Sequence, residues 1–113
     1  SPRFPGMIQL SYSTFGLTNL PFLAAIDAVA RAGYAGVELS FHREQFNPFN
    51  LSEADLDDVQ RHLRTARIVP ACVATASHFF TPSRPHEPSL LTLDVAGRKR
   101  RIDLVKRGIR VAR

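Results

Sequence analysis

The sequence predicts an α/β fold in which strands and helices alternate and the strands form a parallel sheet. Three apolar, strand-like runs alternate with three segments of helical periodicity, and successive strands begin roughly 30 residues apart, the length of a βαβ unit. The third run has little polar alternation, which is typical of a parallel strand that is buried on both faces. With 113 residues, of which 44% are hydrophobic, the chain has the size and composition of one modest domain.

The first unit follows a short lead-in. Residues 1–6 contain two prolines and no apolar run, and we expect them to be disordered or a remnant of expression, with the domain spanning residues 7–113. Met7 to Ser13 predicts the first strand. Asn19 is expected to cap the first helix, with Pro21 in its first turn. The inward stripe of this helix is predicted to hold Leu23, Ile26, Val29 and Ala30.

The joint between the first helix and the second strand reads Arg-Ala-Gly-Tyr-Ala-Gly-Val-Glu-Leu-Ser over residues 31–40. Gly33 is expected to end the helix in the left-handed conformation, and Val37 to Leu39 to form the strand. Glu38 places a carboxylate inside this apolar strand, where burial without a partner is costly. It therefore needs an Arg or Lys from another strand, or a polar site near the end of the strand.

The third unit begins with the pattern of a capping box, Ser52-Glu53-Ala54-Asp55. Leu56, Val59, Leu63 and Ala66 then recur at helical spacing. The helix is expected to end at Arg67, and Pro70 to Thr75 to form the third strand. Cys72 lies among small apolar residues of this strand, which predicts a buried, inert thiol.

The last helix is expected to begin after Asp94, which can act as its N-cap. Its apolar stripe, predicted to face the sheet, holds Ile102, Val105, Ile109 and Ala112. The opposite stripe holds Lys99, Asp103, Lys106, Arg110 and Arg113.

The net charge of +5 arises from this last helix, since eight of the fifteen Lys and Arg residues lie between positions 98 and 113. Such a helix could bind nucleic-acid phosphates. A helix on the outside of an α/β fold exposes its charges to solvent in any case, so we do not expect nucleic acid to be the partner.

Three parallel strands alone would leave two bare edges, which predicts an incomplete unit. A barrel of eight βα units needs about 250 residues, and this chain would correspond to roughly three-eighths of one. Alternatively, the bare strands could pair with those of other copies in a homo-oligomer. No apolar run approaches the ~20 residues that cross a bilayer, and we expect no membrane association and a cytoplasmic location.

Several motifs together resemble those of one family. They are the first strand followed by Ser13-Thr14-Phe15, the joint Ala32-Gly33-Tyr34-Ala35-Gly36-Val37-Glu38-Leu39, the helix opening Leu51-Ser52, and Ser77-His78 after the third strand. In these the chain resembles the sugar phosphate isomerase/epimerase family of xylose isomerase-like TIM barrels, which is related to endonuclease IV-like proteins. The resemblance covers nearly the whole chain from Met7 onward.

The resemblance implies that the chain forms the first three βα units of a (β/α)8 TIM barrel. It also implies an enzyme that moves a proton next to the carbonyl of a small sugar, sugar phosphate or polyol. A divalent metal (Mn, Mg, Co or Zn) is expected in the complete protein, with its ligands beyond residue 113. No catalytic residue or metal ligand is therefore assigned here, and the 113-residue chain alone is expected to be inactive. A lyase or dehydratase on the same barrel, or an endonuclease IV-like DNA-binding protein, are the alternatives.

Five residues near the predicted strand ends are candidates for contact with a carbohydrate-like substrate: Tyr12, Phe15, Glu38, His42 and His78. His78 could hydrogen-bond a substrate hydroxyl, ligate a metal as in endonuclease-like members, or bond only to backbone. Glu38 could contact substrate or pair within the fold, and His42 could reach the site or remain an exposed loop residue. The aromatic rings could line a sugar pocket or fill the top of a barrel.

Overall fold

The structure is a computed structural model that describes residues 10–76, 79–80, 87–91 and 93–113. Its strands are β1 (Ser11–Ser13), β2 (Gly36–Ser40) and β3 (Val69–Ala74). Its α-helices are α1 (Phe22–Arg31), α2 (Glu53–Ala66) and α3 (Val95–Ala112), and a short 3-10 helix, Thr14–Leu17, follows β1. The predicted alternation of strands and helices is confirmed. No helix in the described part of the chain is both long and apolar enough to cross a membrane.

The three strands form one parallel sheet in the order β1-β2-β3. Because neighbouring strands are parallel, their carboxyl ends lie at the same edge of the sheet. The register between β2 and β3 pairs Val37 with Pro70 and then Glu38 with Cys72. Ala71 is thus an extra residue in β3, as in a β-bulge.

Helix α1 begins later than the sequence predicted. Pro21, rather than Asn19, occupies the N-cap position, and Asn19 lies in the preceding turn. Ala25, Ile26 and Val29 are buried, whereas Leu23 is 37% exposed and does not belong to the inward stripe. At the other end, Gly33 has the positive φ of 95° that the joint required, so this part of the prediction is confirmed.

Helix α2 begins with the predicted capping box. The Ser52 hydroxyl accepts a hydrogen bond from the Asp55 backbone N–H (3.1 Å), and the Asp55 carboxylate accepts one from the Ser52 N–H (2.9 Å). Val59 and Leu63 face the core. The C-cap is Arg67, which has a left-handed φ of 56° where a glycine is more usual.

The core lies between the sheet and the helices that cover one of its faces. Strand β2 is central, and its Val37 and Leu39 belong to the same buried cluster as residues of α1 and α2. The loop after β2 adds two aromatic rings, since Phe41 and Phe46 are both buried and their centroids lie 5.4 Å apart. Phe46 also stacks on Phe22 of α1 with centroids 4.0 Å apart.

Strand β3 is not buried on both faces, so that prediction is wrong. Its residues Val69 to Cys72 are exposed, and Val73 and Ala74 are partly buried. In the described part of the chain β3 pairs only with β2, so no strand pairs with the other edge of β3. For the same reason the Cys72 side chain is exposed, not buried as predicted.

Helix α3 starts at its predicted N-cap but turns a different face to the sheet. The Asp94 carboxylate accepts a hydrogen bond from the Gly97 N–H (3.1 Å), as expected of an N-cap. The predicted inward stripe is wrong, because Ile102 is 39% and Ile109 is 60% exposed. The buried residues are instead Gly97, Arg101, Leu104 and Gly108. Gly108 lets this side of the helix approach the end of the sheet closely, because a Cβ atom at this position would stand 2.7 Å from the Thr75 Cγ2 methyl.

Candidate functional site

Two adjoining concavities lie at the carboxyl ends of the strands. The larger, here called the rim concavity, has a volume of about 720 Å³, and the smaller, here called the strand concavity, one of about 380 Å³. Phe15 and Ala76 border both of them. The rim concavity is otherwise lined by Phe41, His42, Arg43, Glu44, Asn47 and Phe79. The strand concavity is otherwise lined by Tyr12, Ser13, Gly16, Glu38, Ser40 and Ala74.

Glu38 is the acidic group of the strand concavity. One carboxylate oxygen, Oε1, accepts a hydrogen bond from the Ser13 hydroxyl at 2.9 Å. The other, Oε2, accepts one from the Cys72 thiol at 3.5 Å. The three side chains meet because Ser13, Glu38 and Cys72 are register partners on neighbouring strands. Within the described residues Glu38 has no Arg or Lys partner, so its surroundings match the expected polar site rather than the expected ion pair.

Ser13 is held in place by a second hydrogen bond. Its hydroxyl oxygen accepts from the Phe15 backbone N–H (3.2 Å), which caps the short 3-10 helix after β1. Thr14 is completely buried, and its hydroxyl oxygen accepts from the Ser40 N–H at 3.0 Å. This hydrogen bond joins the ends of β1 and β2 and holds the backbone of Ser40, which lines the strand concavity together with Glu38. The sequence placed hydroxyl residues at the end of β1, but no pattern indicated which strand Thr14 would contact.

The Cys72 thiol is a hydrogen-bond donor to Glu38. Partial burial of the thiol, its hydrogen bond to Glu38 and the negative charge of that carboxylate all raise the pKa of Cys72. A raised pKa keeps the thiol protonated and disfavours nucleophilic reactivity. The exposed position was not foreseen, but the expected lack of reactivity agrees with this environment.

Two aromatic rings border Glu38. Phe15 is exposed and contributes to both concavities. The Tyr12 ring lies against Gly16, where an added Cβ would stand 2.6 Å from the Tyr12 hydroxyl oxygen. Gly16 is therefore required for this position of the ring. The centroid of the Tyr12 ring also lies 5.4 Å from that of the Tyr34 ring.

His42 follows β2 and is partly buried at the rim concavity. Its backbone N–H and C=O both bond to Phe46 at 3.0 Å, closing a tight loop. The ring Nδ1 accepts from the N–H groups of Glu44 and Gln45, both at 3.3 Å. An imidazole whose Nδ1 is an acceptor carries its proton on Nε2, which remains a hydrogen-bond donor.

The structure thus brings Tyr12, Phe15 and Glu38 together in the strand concavity and places His42 in the neighbouring one. His78 and the adjacent Ser77 lie outside the described residues. The sequence reasoning missed the buried Thr14 and the loop residues that fix His42.

A cluster of three aromatic rings lies next to the rim concavity, and one of them, Phe79, lines it. Phe79 is T-shaped to Phe80 (5.2 Å between centroids), and Phe49 lies 6.0 Å from Phe79. Three arginines of α3 cover these rings. The guanidinium carbons of Arg100 and Arg101 lie 5.8 and 5.2 Å from the centroid of Phe80, and that of Arg107 lies 4.6 Å from the centroid of Phe49. Part of the basic charge of this helix, which the sequence analysis expected to be exposed to solvent, therefore packs against the loops after β2 and β3.

The buried Arg101 shows how tightly α3 joins these loops. Its Nε donates to the Pro88 carbonyl oxygen at 2.6 Å, and burial lowers the pKa of the guanidinium. Its Nη2 is buried and finds no acceptor among the described residues. At the end of the same helix, Arg110 forms an ion pair with Glu53 of α2 at 2.6 Å.

The metal that the resemblance implies requires several His, Cys, Asp or Glu side chains close together. No group of three such side chains occurs among the described residues. Glu38 has only a hydroxyl and a protonated thiol as neighbours, and these do not complete a ligand set. The described residues alone therefore do not fit a divalent-metal site.

Comparison of the chain with protein-family models, curated proteins and solved structures found no match.

Proposed function

We propose that the strand concavity binds a small polyhydroxylated substrate of the sugar or polyol class. The observation that carries this proposal is the hydrogen-bonded pair of Ser13 and Glu38 at the carboxyl ends of two neighbouring parallel strands. Ligands of α/β proteins with parallel strands bind preferentially at this edge. The pair lies beside an exposed aromatic ring, Phe15, in the same concavity.

The chemistry of the pair suits a sugar hydroxyl. The Glu38 carboxylate accepts hydrogen bonds, and the Ser13 hydroxyl can both donate and accept. A bound hydroxyl group can thus replace or extend the Ser13 to Glu38 bond without leaving a charge unsatisfied. The Phe15 ring offers an apolar surface for the C–H groups of the sugar, whose burial is favourable. His42 Nε2 supplies a donor at the rim.

On the same proposal, the sheet is the first part of a (β/α)8 barrel whose complete form isomerises or epimerises its substrate by proton transfer next to a carbonyl. The parallel order β1-β2-β3 supports this architecture, because consecutive strands of such a barrel are neighbours. The role of the described residues is to bind and orient the substrate. The divalent metal remains an expectation from the resemblance, since these residues do not form its site.

The nucleic-acid alternative is less well supported. Three arginines of the basic helix, Arg101, Arg107 and Arg110, already contact aromatic rings, carbonyl oxygens or Glu53 within the chain. Their charges contribute to packing and are only partly available to phosphates.

The proposal is tested by titrating the isotope-labelled chain with aldoses, ketoses and polyols and following its amide NMR signals. We expect saturable shifts at Ser13, Phe15 and Glu38 that are lost in Glu38→Gln and weakened in Phe15→Leu. Asp57→Asn, in α2 and outside both concavities, controls for loss of a carboxylate and should leave the shifts unchanged. Shifts that persist in Glu38→Gln, or no saturable shifts with any of these compounds, would contradict the proposal.

A further inference from the structure

Helix α3 carries an exposed apolar stripe on the side away from the sheet. Its members, Val95, Ile102 and Ile109, are 53%, 39% and 60% exposed, and they are here called the outer stripe. Residues seven apart return to the same side of a helix with a drift of only about 20°. Leu104 and Gly108, by contrast, are buried against the sheet. The outer stripe is therefore a row of apolar side chains, one every two turns, whose members do not belong to the buried core cluster.

The segment just before α3 also exposes apolar side chains. Leu91 and Leu93 are almost fully exposed. Single exposed apolar residues are common, but a row of them along one helix indicates a contact surface for another molecule. The spacing of seven residues is the one that packs against a second helix, whose side chains fit between those of the stripe.

The charges beside the outer stripe are basic. Lys99 lies four residues after Val95 and three before Ile102, and Lys106 stands in the same relation to Ile102 and Ile109. Positions three and four apart are neighbours on a helix, so both lysines border the stripe. Among the described residues neither lysine forms an ion pair, whereas Asp103, the acidic residue of this helix, pairs with Arg107 at 3.4 Å.

We propose that the outer stripe docks an acidic amphipathic helix. The apolar line provides the seat for the apolar face of that helix, and Lys99 and Lys106 provide partners for Glu or Asp at its borders. A second copy of this chain is a poorer occupant, because two outer stripes would bring their basic borders together and repel. This inference is independent of the proposed sugar site, which lies at the strand ends.

The test uses a designed peptide of roughly three heptads with Leu at positions a and d and Glu at e and g, which is long enough to form a helix on binding. Its binding to the full chain is measured by isothermal titration calorimetry. We expect saturable binding that weakens at least ~10-fold in Ile102→Gln/Ile109→Gln, since two apolar contacts are lost. Leu23→Gln is the matched control, because Leu23 of α1 is 37% exposed, close to the 39% of Ile102. This control should bind like the unchanged chain.

The role of charge is tested by Lys99→Glu/Lys106→Glu, which should weaken binding several-fold and reduce its dependence on salt. A peptide of the same composition with its leucines scrambled should not bind. Equal binding of the scrambled peptide, or unchanged binding by Ile102→Gln/Ile109→Gln, would overturn the inference.

Two further measurements separate other occupants. A dimer in light scattering that dissociates in Ile102→Gln/Ile109→Gln would assign the stripe to a second copy and overturn the inference. Binding to vesicles of anionic phospholipid that the same variant abolishes, without binding of the peptide, would assign it to a membrane surface and overturn it as well.

Discussion

Gly108 of α3 lies so close to Thr75, the residue after β3, that a Cβ atom on the glycine would stand 2.7 Å from the Thr75 Cγ2 methyl. The same atom would stand 3.5 Å from Cε2 of the buried Phe41. This contact sets how closely the helix approaches the sheet, and it explains why the face with Gly108 packs inward while the one with Ile109 remains outside.

Gly108→Ala is expected to destabilise the protein although alanine is the better helix former. The helix gains about 1 kcal/mol in propensity, but overpacking against Thr75 costs typically ~1–3 kcal/mol. We expect a net loss of ~1 kcal/mol in the free energy of unfolding, measured by urea denaturation. In a Thr75→Ser background, which lacks the Cγ2 methyl, the same substitution should be neutral or stabilising. A loss of equal size in both backgrounds would rule out this contact as the cause.

The wrong prediction for α3 shows what a sequence pattern can and cannot determine. The spacing of Ile102, Val105 and Ile109 correctly identified a helix with an apolar stripe. It could not show which face meets the sheet, because that depends on the space left by Thr75 and Phe41, which are distant in sequence. Helix periodicity reports that a face is apolar, and only the neighbouring elements decide whether it is covered.

The capping box of α2 predicts a dependence of stability on pH. The hydrogen bonds from the backbone N–H and the side chain of Ser52 lower the pKa of Asp55. A carboxyl group whose pKa is lowered on folding stabilises the protein above its unfolded pKa, and this contribution is lost as the pH falls through the folded value. The difference in unfolding free energy between the unchanged chain and Asp55→Asn should therefore be constant near neutrality and shrink below about pH 4.

Urea denaturation over a series of pH values measures this difference. Asp57→Asn, on the same helix but outside the capping box, controls for the removal of one negative charge. If the unchanged chain and Asp55→Asn lost stability in parallel on acidification, the cap would not be the origin of the effect.

The pKa of the Cys72 thiol can be used to probe the charge of the neighbouring Glu38 carboxylate. Because burial, the hydrogen bond to Glu38 and its charge raise the pKa of Cys72, alkylation by iodoacetamide should follow a pKa above that of a free thiol. Glu38→Gln removes the charge, so the midpoint should fall and alkylation at pH 8 should accelerate several-fold. The reaction is specific, since Cys72 is the one cysteine of the chain.

Ser13→Ala is the control for this experiment. It removes the other hydrogen bond to Glu38 but leaves the carboxylate beside the thiol, and the pKa of Cys72 should stay raised. A midpoint that does not move in Glu38→Gln would mean that the carboxylate does not act on the thiol.

The contact of Arg107 with Phe49 is expected to contribute measurably to the stability of the loop after β2. The guanidinium carbon lies 4.6 Å from the ring centroid, and Nη1 donates to the Pro48 carbonyl oxygen at 3.4 Å. A double-mutant cycle with Arg107→Gln and Phe49→Leu should give a coupling of ~0.5–1 kcal/mol, as for other partly exposed cation–π pairs. Additive effects of the two substitutions would show that ring and guanidinium do not interact.

The candidate site was predictable in part for the same reasons as the fold. Local sequence patterns predicted the positions of individual site residues. The joint at Gly33 predicted that Glu38 lies in a strand, and the hydroxyl residues at the end of β1 predicted that Ser13 lies at a strand end. The pairing of Ser13, Glu38 and Cys72 was not predictable, because it depends on the register of three separate strands. The exposure of Cys72 was missed because the composition of β3 is that of a central strand, whereas its outer edge has no partner in the described chain.

The extra residue in β3 has a consequence for how this sheet tolerates change. Pro70 has no N–H to give to the ladder, and the shift at Ala71 lets regular pairing resume one residue later, with Cys72 opposite Glu38. The strand is thus divided into two segments whose side chains alternate independently. Deleting Ala71 would remove the extra residue and leave Cys72 opposite Glu38 in a regular ladder, whereas regular pairing that kept Ala71 would place Ala71 opposite the carboxylate. The register shift in β3 therefore determines which side chain lies opposite Glu38.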